Sequence, residues 1–215
     1  DIISADSRQF YKEMTIGTAK PTKKELSEAN HHFINNISVE DKYSSGIFSR
    51  EANAFLNNYF LENDYAILVG GSGLLIDSVI YGLDDMPKVP ESFRNDLNEL
   101  FKKEGIEYLL EKLKTSDPEY FKIVDKKNHR RVIRALEIIQ YTNKPYSSYL
   151  TNKKKNMNNY SLRLYGLCPS KVELKSRINV RVDKMVEMGL FKEVENLKKY
   201  QELNPLRSVG CLLYT

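Results

Sequence analysis

DIISADSRQFYKEMTIGTAKP, residues 1–21, is the stretch whose reading decides the fold. Ile2 and Ile3 form a short apolar run of β type, and the chain turns polar at Ser4. Asp6, Ser7, Arg8 and Gln9 then stand where a buried strand would end. In open parallel α/β sheets ligands sit in the crevice beyond the carboxyl ends of the strands. Asp6 is therefore the first candidate for chemistry. A short Asp side chain also caps turns readily, and position alone leaves both readings open.

The rest of the chain supports an α/β class with a parallel sheet. Phe48, Ala52, Phe55, Leu56 and Tyr59 recur at helical spacing behind Ser44 or Ser45 as cap, which predicts an amphipathic helix facing a core. Lys23 to Asn30 reads as a shorter helix. Tyr65 to Val69 predicts a strand that runs into Gly70-Gly71-Ser72-Gly73 and then a helix over Leu74 to Tyr81. A strand, a glycine turn and a helix start together expose backbone N–H groups to an anion or polar substrate. Glycines also serve simply to turn tightly, and no Gly-Lys-Ser/Thr follows, so this is not a Walker motif.

Met86-Pro87-Lys88-Val89-Pro90 punctuates the chain, and helical periods replace strand signals beyond it. Phe93, Leu97 and Phe101 form one period; Ile106, Leu109, Leu110 and Leu113 a second; Val132, Leu136 and Ile139 a third. Asp117-Pro118 marks a turn between the second and third. The expected organisation is an α/β core of residues 1–89 and 161–215 carrying an all-helical insertion at residues 90–160. SLRLYGLCPS, residues 161–170, reads as the strand that returns to the sheet.

Composition bounds the function. The chain has 215 residues, 41% hydrophobic and 29% charged, which is ordinary for a globular protein. No run reaches the length of a membrane helix and no signal segment opens it, so a cytoplasmic protein is expected. Cys168 and Cys211 lack metal-ligand spacing and read as buried reduced thiols. His31 and His32 are adjacent and would face opposite ways on a strand, which favours packing or polar contacts over a shared metal. Net charge is only +4, but Lys and Arg outnumber acids locally between Phe121 and Arg134, and Lys153 to Lys155 form a second cluster. Such patches suit a polyanion such as RNA, or are merely solvated faces.

Two helices concentrate arginine. In HRRVIRALE, Arg130, Arg131 and Arg134 lie three and four apart and cluster on one side. A later helix carries Arg177, Arg181 and Lys184 on one stripe, with Leu174, Ile178, Met185 and Val194 expected on the packed side. Cations so spaced repel unless an anion or a carboxylate faces them, and Glu187 or Glu193 could supply that carboxylate.

DSRQFYKEMTIGTAKPT resembles the signature of the tRNA dimethylallyltransferases (tRNA isopentenyltransferases), an Asp-Ser-x-Gln-x-Tyr run followed by Gly-Thr-Ala-Lys-Pro. HHFINNISVEDKYSSGIFSREA, LVGGSGLLIDSVIYGL, RRVIRALEIIQYTNKPYS and RINVRVDKMVEMGLFKEV agree with it in order, nearly to the end of the chain. The resemblance implies a P-loop-kinase-like parallel sheet flanked by helices, with the helical insertion against tRNA and a base-accepting pocket beside the sheet. It implies transfer of a dimethylallyl group from dimethylallyl diphosphate to N6 of adenosine 37 in the anticodon loop of tRNAs reading codons that begin with U. Asp6 would be the catalytic base. Arg181, the better match, and Arg177 would take the diphosphate. Asp6, Ser7, Arg8, Gln9, Ser72, Arg94 and the run Arg130, Arg131, Val132, Ile133, Arg134 would contact tRNA, Gln9 and Ser7 reading the adenine edge. Lys20 could touch phosphate or pin its loop. Mg²⁺ is implied as cofactor, with no metal ligand in this segment, and a monomer is expected. The family's Gly-x-Thr-x-x-Gly-Lys-Thr loop would precede Asp1, and the terminal VGCLLYT departs from the pattern, so a piece of a longer chain is expected. A small-molecule or nucleotide kinase, and a non-catalytic tRNA-binding fragment, are the rival readings.

Overall fold

The computed structural model describes residues 1–151, 160–203 and 205–206. Lys153 to Lys155 and Cys211 lie outside the described residues. The chain divides into two compact units, Asp1–Gly82 with Asn156–Thr215, and Leu83–Lys155.

The first unit is built on a parallel sheet of β1 (Ile2–Ser4), β2 (His31–His32) and β3 (Ile67–Val69), ordered β2-β1-β3. Ile3 pairs with His32 on one side and Leu68 on the other. Parallel neighbours need crossover connections. Helix α1 (Lys23–Glu28) lies in the first, started by a capping box in which Thr22 and Glu25 bond reciprocally. Helix α2 (Ser45–Tyr59) lies in the second, and Ser44 is its cap, its hydroxyl accepting from Ile47 N–H at 3.3 Å. Phe48, Ala52 and Leu56 are buried as the spacing predicts, in a core with Ile3, Phe10 and Met14. Helix α3 (Gly73–Ile80) follows β3 and buries Leu75 and Val79 in that core. His32 packs against Phe55 with the rings tilted by 41° and bonds Asp1 at 2.8 Å, a packing and polar role.

Three local expectations are corrected. Residues 161–170 contain no strand and are largely exposed, Leu167 at 97%. A strand needs a hydrogen-bonding neighbour; both edges of β1 are occupied, and these residues pair with neither β2 nor β3. Cys168 in this stretch is exposed rather than buried. The expected single late helix is two, numbered after α4 (Glu91–Ser116), α5 (Pro118–Ile123) and α6 (His129–Thr142) of the second unit: α7 (Lys171–Glu187) ends before Gly189, whose φ of 97° is left-handed, and α8 (Leu190–Leu197) begins after it. Leu174 and Ile178 are about half exposed, and Met185 is the buried residue of α7. Val182 and Val186 continue the side of Ile178 at four-residue spacing, Val180 lies away from it, and all three are 41–50% exposed.

The second unit is helical. Helix α4 (Glu91–Ser116) contains a break at Gly105, φ 81°, which separates the two periods read from the sequence. Helices α5 (Pro118–Ile123) and α6 (His129–Thr142) follow. Leu97, Leu109 and Leu113 of α4 pack with Val132, Ile133 and Leu136 of α6. Asp117 is 1% exposed and staples the chain behind this core. Its carboxylate caps α5 by accepting from Tyr120 N–H at 3.0 Å, and accepts from Ser147 N–H at 2.7 Å and Ser147 Oγ at 2.9 Å.

Candidate active site

The loop leaving β1 is held by its own polar side chains. Arg8 N–H donates to Asp6 Oδ1 at 2.8 Å, so Asp6 does cap the turn. Its Oδ2 makes no hydrogen bond among the described residues, which leaves one carboxylate oxygen for other work. Asp6 N–H donates to Ser4 Oγ at 3.4 Å, and Ser4 Oγ donates to Gln9 Oε1 at 3.0 Å.

The glycine turn after β3 meets this loop. Ser7 N–H donates to Ser72 Oγ at 3.1 Å, and Ser72 Oγ donates to Ser7 Oγ at 3.2 Å. Two residues 65 apart in sequence thus become one polar edge beside Asp6. Gly70 makes the approach possible, because a Cβ there would lie 2.3 Å from the Ala5 carbonyl oxygen. Gly70→Ala is expected to destabilise this unit by about 1–3 kcal/mol through overpacking against backbone. Chemical denaturation checks it, and an unchanged midpoint would show that the two turns separate easily.

Gln9, the expected adenine reader, braces its own loop. Its Nε2 donates to the carbonyls of Thr18 and Ala19 at 3.3 and 3.2 Å while Oε1 takes the Ser4 hydroxyl. Both amide protons are engaged, so Gln9 is a strut across its own loop. Lys20 also turns inward, donating to the Tyr11 carbonyl and to Asn35 Oδ1 at 2.6 Å. Burial lowers its ammonium to a pKa of about 8, against the opposing pull of Glu193 and Glu13.

The predicted cations divide. Arg177 on α7 pairs with Glu173 at 2.6 Å, and Arg181 is exposed. Glu193 does not face them: Oε2 accepts from Thr15 and Ile16 N–H at 3.0 and 2.8 Å, and Oε1 from Gly17 N–H at 2.9 Å. A cleft of about 450 Å³ opens beside it, bordered by Glu13, Lys192 and Tyr200.

In the helical unit Arg130 and Arg131 are exposed. Val132 and Ile133 are buried at 0% and 3%, so their side chains pack into the core of this unit. Arg94 grips Glu137 with two hydrogen bonds of 2.7 Å, and Arg134 donates to the same carboxylate. Sequence reasoning missed Glu137, because its spacing to Arg134 is visible but its burial and the approach of Arg94 are not. His129 stacks on Phe101 with ring centroids 4.6 Å apart. Among the described residues no group of three or more His, Cys, Asp or Glu could hold a metal.

A parallel α/β core that presents an acid, hydroxyls and a glycine turn beyond its strand ends, with arginine-bearing helices elsewhere in the chain, defines a class of enzymes that handle anionic substrates. The family described as IPP transferase matches residues 9–213. The tRNA dimethylallyltransferase of Christiangramia forsetii is 48% identical over 98% of this chain, and that of Flavobacterium johnsoniae 44% identical over 98%. This chain spans 69% and 70% of the lengths of those relatives. The full-length tRNA isopentenylpyrophosphate transferase of Bacillus halodurans superposes with a TM-score of 0.60 at 33% identity, over 100% of this chain and 66% of that one. A eukaryotic dimethylallyltransferase acting on tRNA superposes with a TM-score of 0.76 at 25% identity, over 95% of this chain and 50% of that one. The chain belongs to the IPP transferase family.

Proposed function

We propose that this chain acts as a tRNA dimethylallyltransferase, which moves a dimethylallyl group from dimethylallyl diphosphate to N6 of adenosine 37 in the anticodon loop of tRNAs reading codons that begin with U. The observation that carries the reading to this site is Asp6: one carboxylate oxygen anchored by Arg8 N–H and the other without a hydrogen bond among the described residues, at the end of β1.

The chemistry asks for such a group. An exocyclic adenine amine is a weak nucleophile because its lone pair is delocalised into the ring. A carboxylate that takes its proton as the new N6–carbon bond forms lowers the barrier. The bond to the bridging diphosphate oxygen breaks in the same event, and diphosphate departs with the electron pair. Arg177 and Arg181 would receive that charge, since guanidinium groups suit phosphate oxygens. A base inside a stacked loop must be turned out to reach the acid, and the hydroxyls of Ser7 and Ser72 are suited to its polar edge. Mg²⁺ on the diphosphate would supply further counter-charge.

The insertion at residues 90–160 would grip the tRNA. Arg130 and Arg131, exposed at the start of α6, are the residues best disposed to meet phosphates, with Arg94 and Arg134 behind them. Arg131→Ala is expected to weaken tRNA binding and to reduce the slope of log affinity against log salt by about one. Titrations at several salt concentrations measure this, and an unchanged slope would remove Arg131 from the contact. No helix among the described residues is long and apolar enough to cross a membrane. The deciding assay mixes the full-length protein with labelled dimethylallyl diphosphate and unmodified tRNA. Label on adenosine 37 is the expected result. An unlabelled tRNA beside phosphate transfer to a small molecule would favour a kinase, and binding without transfer a non-catalytic fragment.

A further inference from the structure

Glu193 gives both carboxylate oxygens to three consecutive backbone N–H groups, Thr15, Ile16 and Gly17, at 2.8 to 3.0 Å. Successive N–H groups converging on one point make a concave anion site. Here the anion is the chain's own, brought from 176 residues away to Gly17. A carboxylate on several backbone donors is a strong anchor, because charge-assisted hydrogen bonds are about twice as strong as neutral ones.

What the anchor holds gives it meaning. The next residue, Thr18, closes the turn through its hydroxyl to the Met14 and Thr15 carbonyls. Thr18 and Ala19 carbonyls accept from Gln9, Gln9 accepts from Ser4, and Ser4 accepts from the Asp6 N–H. The path from Glu193 to the Asp6 backbone is therefore a continuous series of hydrogen bonds and short chain segments. On the other side, α8 is joined to α7, which carries Arg177 and Arg181, by Met188 and Gly189 alone.

We infer that Glu193 is a positioning residue for the transfer: it fixes the Thr15–Gly17 turn to α8 and thereby sets Asp6 against the helix pair that carries the diphosphate arginines. The inference rests on the function proposed above. Glu193 acts through the turn it holds, since both its oxygens are taken by backbone N–H groups. Misplacing a reacting group by about an ångström can cost about a hundredfold in rate, so a loop carrying the base is a sensitive place for such an anchor.

The test uses Glu193→Gln in the full-length protein. The amide keeps the shape but turns an NH₂ toward an N–H donor, so at least one anchor bond is lost. Expected are a kcat lower by about 10- to 100-fold, a KM for tRNA within about twofold of wild type, and faster hydrogen exchange at the amides of Thr15, Ile16 and Gly17. Glu193→Asp, which keeps the charge on a shorter arm, should recover part of kcat. Faster exchange with unchanged kcat would overturn the positioning role, and unchanged exchange would overturn the anchor itself. If Glu193→Gln loses protection throughout the chain, the same two readings on Glu193→Asp decide: lowered kcat with local exchange supports the role, and wild-type values overturn it. A wild-type protein that transfers nothing would sink the proposed function; normal wild-type transfer beside an unaffected Glu193→Gln variant would sink only the role of Glu193.

Discussion

Replacing Asp6 by Asn is expected to slow dimethylallyl transfer by about 10²- to 10⁴-fold, the range over which a positioned general base acts. The variant is chosen because Asp6 has two separable tasks. Asn retains an Oδ1 able to accept from Arg8 N–H, the 2.8 Å bond that shapes the turn, but it cannot take a proton. Asp6→Ala removes both tasks. If the carboxylate acts as base, both variants lose turnover while tRNA binding, which we propose rests mainly on the helical insertion, stays within a few-fold. Single-turnover assays with labelled donor, read beside binding titrations, make the comparison. Near-normal turnover in Asp6→Asn would leave Asp6 a turn-former only.

The second large effect is expected at Glu137. Its carboxylate is 1% exposed and takes two hydrogen bonds from Arg94 and another from Arg134. Burial alone would raise its carboxyl, but the bonds from the two guanidinium groups outweigh burial and hold it below the ordinary carboxylate range. Glu137→Ala is expected to destabilise the helical unit by about 3 kcal/mol, the low end for breaking a buried ion pair, because both arginines partly reach water. The pH dependence has a definite sign. A depressed carboxyl stabilises fully above its unfolded pKa and loses that contribution as pH falls through the lower folded value. Denaturant midpoints of wild type and variant should therefore differ most at neutral pH and converge in acid. A difference that is the same at pH 7 and in acid would show that lost packing, not charge, is responsible.

Legibility followed the range of the forces involved. Helix α2, its Ser44 cap and its buried stripe were readable because a cap and a 3.6-residue period are local. The strand, glycine turn and helix around Gly70 were readable for the same reason. The strand expected at residues 161–170 was not, since alternating apolar residues become a strand only where a ladder partner exists. The later helix was read past Gly189, whose left-handed φ could as well have been a helical one from sequence alone.

The site divides along the same line. Asp6, Ser7, Ser72 and the arginines are named by motif and by residue type. The bonds by which Gln9 braces its loop and Glu193 anchors the Thr15–Gly17 turn were not readable, because hydrogen bonds across 9 and 176 residues depend on which backbone groups the fold leaves open.

The order of residues by itself determined the parallel α/β start and the helices that follow Pro90, both written in short-range pattern. Tertiary structure alone decided that Ser72 closes on Ser7, that Glu193 fills the Thr15–Gly17 turn and that Arg94 meets Glu137. A buried polar group takes the partner that folding brings within about 3 Å of it, and that proximity has no signature in the spacing of residues along the chain.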